Sequence, residues 1–218
     1  LHQRRAVSLD TLPLVVGTRA HRAVAQAVSE RSLTLLKDER RNVPLRVSRR
    51  AAILYLSVLD YPSGWGIGAP SRTLIPELEE RWPNTTAIEL SDHTSLSELE
   101  LVRETASRYD AIVAGVFVRT ASFSGRMDLT PALVQFLQDL TKESGERHQP
   151  FVAIFFGNPY TATFLADLPA VLLTYDFYDL AEASAVRAIS GETAIGGRLP
   201  IGLGDQFLVG HGLIRDGL

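Results

Sequence analysis

The sequence predicts an α/β fold: a three-layer α/β/α sandwich on a mostly parallel sheet of five to six strands, flavodoxin-like in its winding. Three observations predict it. Apolar runs that do not alternate, Ala51 to Val58, Asp110 to Val118, Phe151 to Phe156 and Ala170 to Tyr175, suit strands buried on both faces, the condition of a parallel sheet covered by helices. Between them lie segments whose apolar residues recur at helical spacing. Strands and helices alternate along most of the chain, which implies parallel pairing with right-handed crossovers.

Taken in order, residues 1 to 18 mix Arg4 and Arg5 with short apolar runs and carry Pro13; they read as a linker from an upstream domain, and 19 to 218 as one domain. From Arg19 to Leu36, Ala20, Ala23, Val24, Ala27, Val28, Leu33, Leu35 and Leu36 fit one long helix packed by one face, ended by the charged cluster Asp38 to Asn42. Ala51 to Val58 is the first strand. It empties into Asp60-Tyr61-Pro62-Ser63-Gly64-Trp65-Gly66-Ile67-Gly68, too rich in glycine for regular structure. A helix follows over Ser71 to Arg81, stopped at Trp82-Pro83-Asn84, then a short strand, Thr86 to Leu90. Leu96 to Tyr109 is helical, capped by Ser95 and Glu98. The strand to Val118 ends in Arg119-Thr120-Ala121-Ser122-Phe123-Ser124-Gly125-Arg126, and Leu129 to Ser144 is a helix with Leu133, Phe136, Leu137 and Leu140 inward. After Phe151 to Phe156 the chain breaks at Gly157-Asn158-Pro159. A helix over Leu180 to Ser190 closes at Gly191, and Gly196-Gly197-Arg198-Leu199-Pro200 leads into a last short strand.

Composition narrows the function. With 218 residues and 45% hydrophobic content the chain can bury one good core. A net charge of -3 gives no global basic field for nucleic acid or anionic lipid. There is no cysteine, so disulfides, thiolate zinc sites and cysteine nucleophiles are excluded. No apolar stretch approaches the length of a membrane span. The five histidines, His2, His21, His93, His148 and His211, show no spacing that brings two together, so no metal is expected. No cofactor is expected either. Gly64-x-Gly66-x-x-Ala69 formally satisfies a dinucleotide fingerprint, with Glu89 downstream, but Asp60 to Ser63 separate it from the strand and Pro62 stiffens the approach.

Ligands of α/β sheets bind at strand carboxyl ends. Asp60, Arg119, Arg126, Asn158 and Asp176 all lie there, with Trp65, Phe123, Tyr160, Phe177 and Tyr178. Aromatic faces beside carboxylate, amide and guanidinium groups suit a sugar, whose ring stacks while its hydroxyls hydrogen-bond. They equally suit a protein interface. Trp65, Arg119, Arg126, Asn158, Tyr160 and Tyr178 are the candidate substrate contacts; Asp60 and Asp176 are the candidate catalytic carboxylates, with Asp179 a third. Ser63 and Ser124 stand near glycines but not in a nucleophile elbow. Arg198 is read as structural, binding carbonyls or a carboxylate.

Two stretches carry a family resemblance. The first joins Gly157-Asn158-Pro159, Leu168-Pro169-Ala170-Val171, the alanine-rich helix of Ala181 to Ile189, Gly191-Glu192 and Gly197-Arg198-Leu199-Pro200. The second is Glu30-Arg31-Ser32-Leu33-Thr34-Leu35-Leu36-Lys37-Asp38-Glu39 with Val43-Pro44-Leu45. Together, in this order, they resemble the C-terminal domain of glycoside hydrolase family 3, over roughly Ala20 to Leu218. The resemblance implies a parent enzyme that removes terminal β-linked N-acetylglucosamine or glucose with retention through a glycosyl-enzyme intermediate; a bacterial source is expected, and the lack of cysteine fits a reducing or an oxidising compartment alike, with a periplasmic or secreted one favoured. In that family a preceding TIM-barrel domain of the same polypeptide carries the aspartate nucleophile. This chain, starting at Leu1, has no such barrel motif and is expected to be a fragment, inactive without it, that lines the barrel's pocket. The family's acid is a C-terminal-domain glutamate in glucosidase-like members and a barrel-loop histidine in N-acetylglucosaminidase-like ones; the absence of a glutamate from these loops favours the second branch. The alternative is a scaffold or docking domain with no sugar contact.

Overall fold

The computed structural model describes residues 8–60, 69–118 and 129–218. In chain order the elements are α1 (Leu12–Val15), α2 (Arg19–Ser32), β1 (Thr34–Asp38), β2 (Ala52–Leu59), α3 (Leu74–Arg81), β3 (Asn84–Leu90), α4 (Leu96–Ala106), β4 (Ala111–Val118), α5 (Pro131–Glu146), β5 (Phe151–Gly157), a 3-10 helix (Pro159–Leu165), β6 (Ala170–Leu173) and α6 (Asp179–Ile189). The strands form one sheet in the order β1-β6-β5-β4-β2-β3. β2 through β6 are mutually parallel and β1 runs antiparallel to β6. Numbered among the parallel strands alone, the order is second, first, third, fourth, fifth, the flavodoxin-like winding.

Each central strand is buried on both sides because its alternate residues feed two cores. Leu54, Leu56, Ile112, Val116 and Phe155 join Leu99 and Val102 of α4 and Leu133, Phe136 and Leu140 of α5. Ile53, Tyr55, Val113, Phe117, Ile154 and Phe156 join Leu74 and Leu78 of α3 and Ala185, Val186 and Ile189 of α6. Phe117 and Phe156 stack at 4.3 Å between ring centroids. Burying each such side chain contributes about 1.5–3 kcal/mol, so the two layers dominate the stability. β4 contains Gly115 at its centre because the Tyr55 hydroxyl crosses the space a Cβ would fill.

The helix expected over Arg19 to Leu36 is corrected. α2 stops at Ser32, and the residues after it turn into β1. Leu33, Thr34, Leu35 and Leu36 are all at most 2% exposed, so they are enclosed on every side rather than along one helical face. The backbone of this stretch is used twice. It pairs with β6 on one edge, from Thr34 opposite Leu173 to Asp38 opposite Ala170. On the other, the Leu33 and Leu35 carbonyls accept from Gly197 and Leu213 N–H at 3.0 and 2.8 Å. Pairing between residues far apart in sequence outweighs the local helical spacing.

The other boundaries move by a few residues. α3 begins at Leu74 rather than Ser71, and α4 ends at Ala106 rather than Tyr109. At α4 the capping box expected of Ser95 and Glu98 is present, each side chain bonded to the other residue's backbone N–H. The last strand expected after Pro200 is absent among the described residues; Ile195 with Arg215 and Leu203 with Phe207 make isolated bridges only. The turn before it is built as expected. Arg198 donates to the Gly212 carbonyl, and His211, in its own turn, bonds the Leu36 carbonyl through Nε2 at 2.8 Å.

Gly191 closes α6 at φ +84°, and Glu192 beside it receives Arg81 of α3, Nη2 to Oε2 at 2.7 Å. That hydrogen-bonded guanidinium lowers the Glu192 pKa, against a smaller opposing effect of burial. A carboxylate whose folded pKa is depressed stabilises fully above its unfolded value and loses that contribution as pH falls through the folded one. Thermal midpoints of the wild type and Glu192→Gln are therefore expected to differ near neutrality and to converge as pH is lowered past the ordinary glutamate range. A gap that stays constant on acidification would remove the pair as its cause.

Candidate functional site

The described candidate residues lie along the carboxyl edge of the sheet, each held by local backbone chemistry. Asp60 follows β2 directly, is 7% exposed and donates its N–H to the Phe117 carbonyl of β4 at 3.2 Å. It thus stands where the winding reverses, since the chain leaves β2 for β3 on one side and returns to β4 on the other. Asn158, just past β5, uses Oδ1 to accept the Tyr160 N–H at 3.0 Å, capping the 3-10 helix. That aims Tyr160 outward, 45% exposed. Past β6, Asp176 Oδ1 accepts the Phe177 N–H at 2.8 Å, and the Asp176 carbonyl accepts Thr174 Oγ1 at 2.6 Å.

Phe177 and Tyr178 follow with ring centroids 4.6 Å apart. Phe177 lies over Gly157, where a Cβ would come within 3.2 Å of its ring. The loops after β5 and β6 are therefore packed neighbours, bringing Asn158 and Tyr160 together with Phe177 and Tyr178. Trp65, Arg119, Arg126 and Phe123 lie outside the described residues, as does Gly64-x-Gly66, so their placement beside this group stays an expectation.

The sheet does not gather the carboxylates. Asp60 leaves β2 and Asp176 follows β6, three strands away, a separation of roughly 14 Å at the usual interstrand spacing. Glycoside hydrolysis needs its two carboxyl groups roughly 5–10 Å apart. Asp179 is engaged elsewhere. Arg72 grips both its oxygens, Nη2 to Oδ1 at 2.8 Å and to Oδ2 at 2.6 Å, and holds its pKa below the usual range. Among the described residues no three acidic, histidine or cysteine side chains cluster to hold a metal, and no helix is long and apolar enough to cross a membrane.

One buried cluster behind this edge escaped sequence reasoning. Glu182, in the first turn of α6, is 1% exposed. Its Oε1 accepts the Ser71 N–H at 2.8 Å, and its Oε2 accepts those of Thr73 and Leu74 at 2.8 and 2.9 Å. These are the unpaired donors at the start of α3, whose own N-cap Thr73 makes no side-chain cap. Ser71, at φ +67°, meets the Tyr55 hydroxyl at 2.6 Å and Ser57 Oγ at 2.7 Å. Desolvation raises the Glu182 pKa, partly offset by the three N–H bonds, and raises that of Tyr55 as well. A buried carboxyl of raised pKa resembles a general acid, but here both oxygens already accept from backbone. It acts as a cap supplied by one helix to another. The available signal was its spacing: Glu182 falls on the face of α6 that carries Ala185, Val186 and Ile189.

With this geometry in place, comparison with known proteins is informative at the level of fold. No protein-family model matches the chain, and no curated protein matches it. Solved structures do. A β-N-acetylglucosaminidase of glycoside hydrolase family 3 from Paenibacillus sp. superposes with a TM-score of 0.66 at 16% identity, covering 88% of this chain and 34% of that one. The fold is one found within family 3 glycosidases. A fungal multi-domain β-N-acetylglucosaminidase of the same family gives 0.65 at 22% identity over 88% of this chain and 19% of its own. A β-glucosidase from Listeria innocua gives 0.66 at 19% identity, over 86% and 27%. The chain thus spans about a fifth to a third of the structures it matches, and in those enzymes the fold coexists with other domains.

Proposed function

We propose that the chain is an accessory domain of a glycoside hydrolase acting on terminal β-linked N-acetylglucosamine or glucose, lining the pocket of a catalytic TIM-barrel domain. The observation that carries this reading is the fold shared with β-N-acetylglucosaminidases and β-glucosidases over 86–88% of the chain. The packed edge of Asn158, Tyr160, Asp176, Phe177 and Tyr178 supports it, because it offers aromatic faces beside an amide and a carboxylate. The exposed apolar side chains Leu14 and Val15 of α1 and Val24 and Val28 of α2 are surface that a neighbouring domain would cover. The nucleophile belongs to the barrel, in keeping with the separation of Asp60 from Asp176.

The isolated chain is expected to show no turnover of an aryl β-N-acetylglucosaminide or β-glucoside; turnover tracking the purified chain overturns the accessory role. Titration with N-acetylglucosamine at about 1–10 mM, the weak end of the affinity scale, is expected to shift amide resonances of Asn158 to Tyr160 and Asp176 to Tyr178. The second reading, a docking scaffold without sugar contact, draws on Tyr160, Phe164 and Tyr178 all being 45–49% exposed, a composition that interfaces also favour. It predicts an unchanged spectrum in the same titration.

A further inference from the structure

The opposite, amino-terminal rim of the sheet carries a concavity of about 510 Å³ lined by Arg40, Arg41, Asn42, Arg46, His148 and the Gly145 and Pro150 backbone. Its size falls within the range of small-ligand sites. Three guanidiniums and an imidazole face it, and its wall contains no carboxylate. Of the acids beside the lining residues, Asp38 binds Arg215 at 2.8 Å and Glu39 binds Lys37 at 2.9 Å, and Glu146, next to Gly145, is exposed and does not line the concavity. A second concavity beyond Arg41 and Arg46 also holds Asp216. Among the described residues, no hydrogen bond or ion pair occupies the Arg41 or Arg46 guanidinium.

The rim is held firmly beneath these side chains. Asn42 is buried, donates its backbone N–H to Asp38 Oδ1 at 2.7 Å and its Nδ2 to the Phe151 carbonyl at 3.1 Å. Leu45 N–H reaches the Ile189 carbonyl at 2.7 Å, and Arg40 Nη1 reaches the Gly145 carbonyl at 3.2 Å. Gly145 leaves room for that guanidinium, since a Cβ there would sit 2.9 Å from Nη2. Arg41 and His148, on two separate loops, both adopt left-handed backbone, at φ +55° and +57°. Such conformations are costly for residues with side chains and recur at functional sites.

We infer that this rim is a binding site for a small polyanion bearing two or more neighbouring oxyanion groups, of the pyrophosphate or phosphorylated-sugar class. Guanidiniums accept such groups in bidentate fashion, and Arg41 and Arg46 supply two with no protein partner to displace. Arg40 and His148 add donors from the other wall. The inference is independent of the sugar-facing edge, which lies at the far end of the strands.

The test is calorimetric titration of the 218-residue chain with pyrophosphate and, separately, citrate, at low and physiological salt. Saturable binding with Kd of about 1 mM or tighter is expected, weakening as salt rises. The double variant Arg41→Asn, Arg46→Ser should weaken it about tenfold or more; asparagine tolerates the left-handed backbone at 41. Arg19→Ser with Arg22→Ser, exposed arginines on α2 that do not line the concavity, removes the same charge and should leave binding unchanged. Tighter binding of pyrophosphate than citrate assigns phosphoryl ligands; equal binding extends the site to polycarboxylates. No saturable binding below about 10 mM, or an equal loss in both double variants, overturns the site in favour of diffuse charge.

Discussion

Replacing Glu182 by alanine is expected to destabilise the protein by about 3 kcal/mol, because two buried N–H groups and one half-buried one at the start of α3 then lack an acceptor and each buried one costs roughly 1–3 kcal/mol, less what water recovers. For a chain of this length that corresponds to a fall in thermal midpoint of about 6–12 °C. Glu182→Gln should lie between, since an amide keeps one acceptor oxygen but turns its NH₂ toward the remaining donors. The pH dependence has a definite sign. Burial raises the Glu182 pKa in the folded state, so its contribution is complete below the unfolded value and is lost as pH rises through the folded one. The penalty of either substitution should be larger near pH 4 than near pH 8. Urea denaturation at both pH values checks this. A loss below about 1 kcal/mol would mean that the N–H groups find water, and that α3 and α6 are not tied through this carboxylate.

Gly197→Ala is the second large effect. A Cβ at this position would lie 2.6 Å from the Ser32 carbonyl oxygen and 2.8 Å from the Leu33 carbonyl carbon, and closer still to the Leu33 oxygen. These are backbone atoms at the entrance to β1, which is pinned to β6 on its other side, so neither neighbour can give way cheaply. The expected cost is about 3 kcal/mol or more, the upper range of overpacking. Gly196 provides the control: a Cβ there meets nothing within 4 Å, and Gly196→Ala should change stability by less than about 0.5 kcal/mol. Equal effects at the two positions would show that the turn, not the contact with Leu33, sets the requirement for glycine.

Between them these residues mark what could be read in advance. Gly197 was visible as part of a motif, but its reason, a chain crossing the end of β1, was not. Glu182 is not legible in the sequence, because an acidic residue in the first turn of a helix ordinarily faces solvent, where it favours the helix dipole. Its burial depends on Ser71 to Leu74, more than a hundred residues upstream, presenting their donors to it. The candidate edge divides in the same way. Asn158, Tyr160, Phe177 and Tyr178 could be placed at strand ends from the order of elements alone, yet the contact of Phe177 with Gly157 joins two loops that no spacing relates. The separation of Asp60 from Asp176 follows from strand order, and only pairing reveals strand order.

The fold class, the central parallel strands and the helices over them are legible in the chain alone, because two-sided burial and helical spacing are written in residue type within short windows. The tertiary structure alone decided β1. Leu35 and Leu36 fit a helix by spacing and lie in the strand because β6 on one edge and the Gly197 to Leu213 segment on the other take the backbone hydrogen bonds of this stretch. It also decided that Glu182 is a cap and that Arg41 and Arg46 face one concavity, since both depend on which distant backbone arrives beside them, and local sequence carries no record of that.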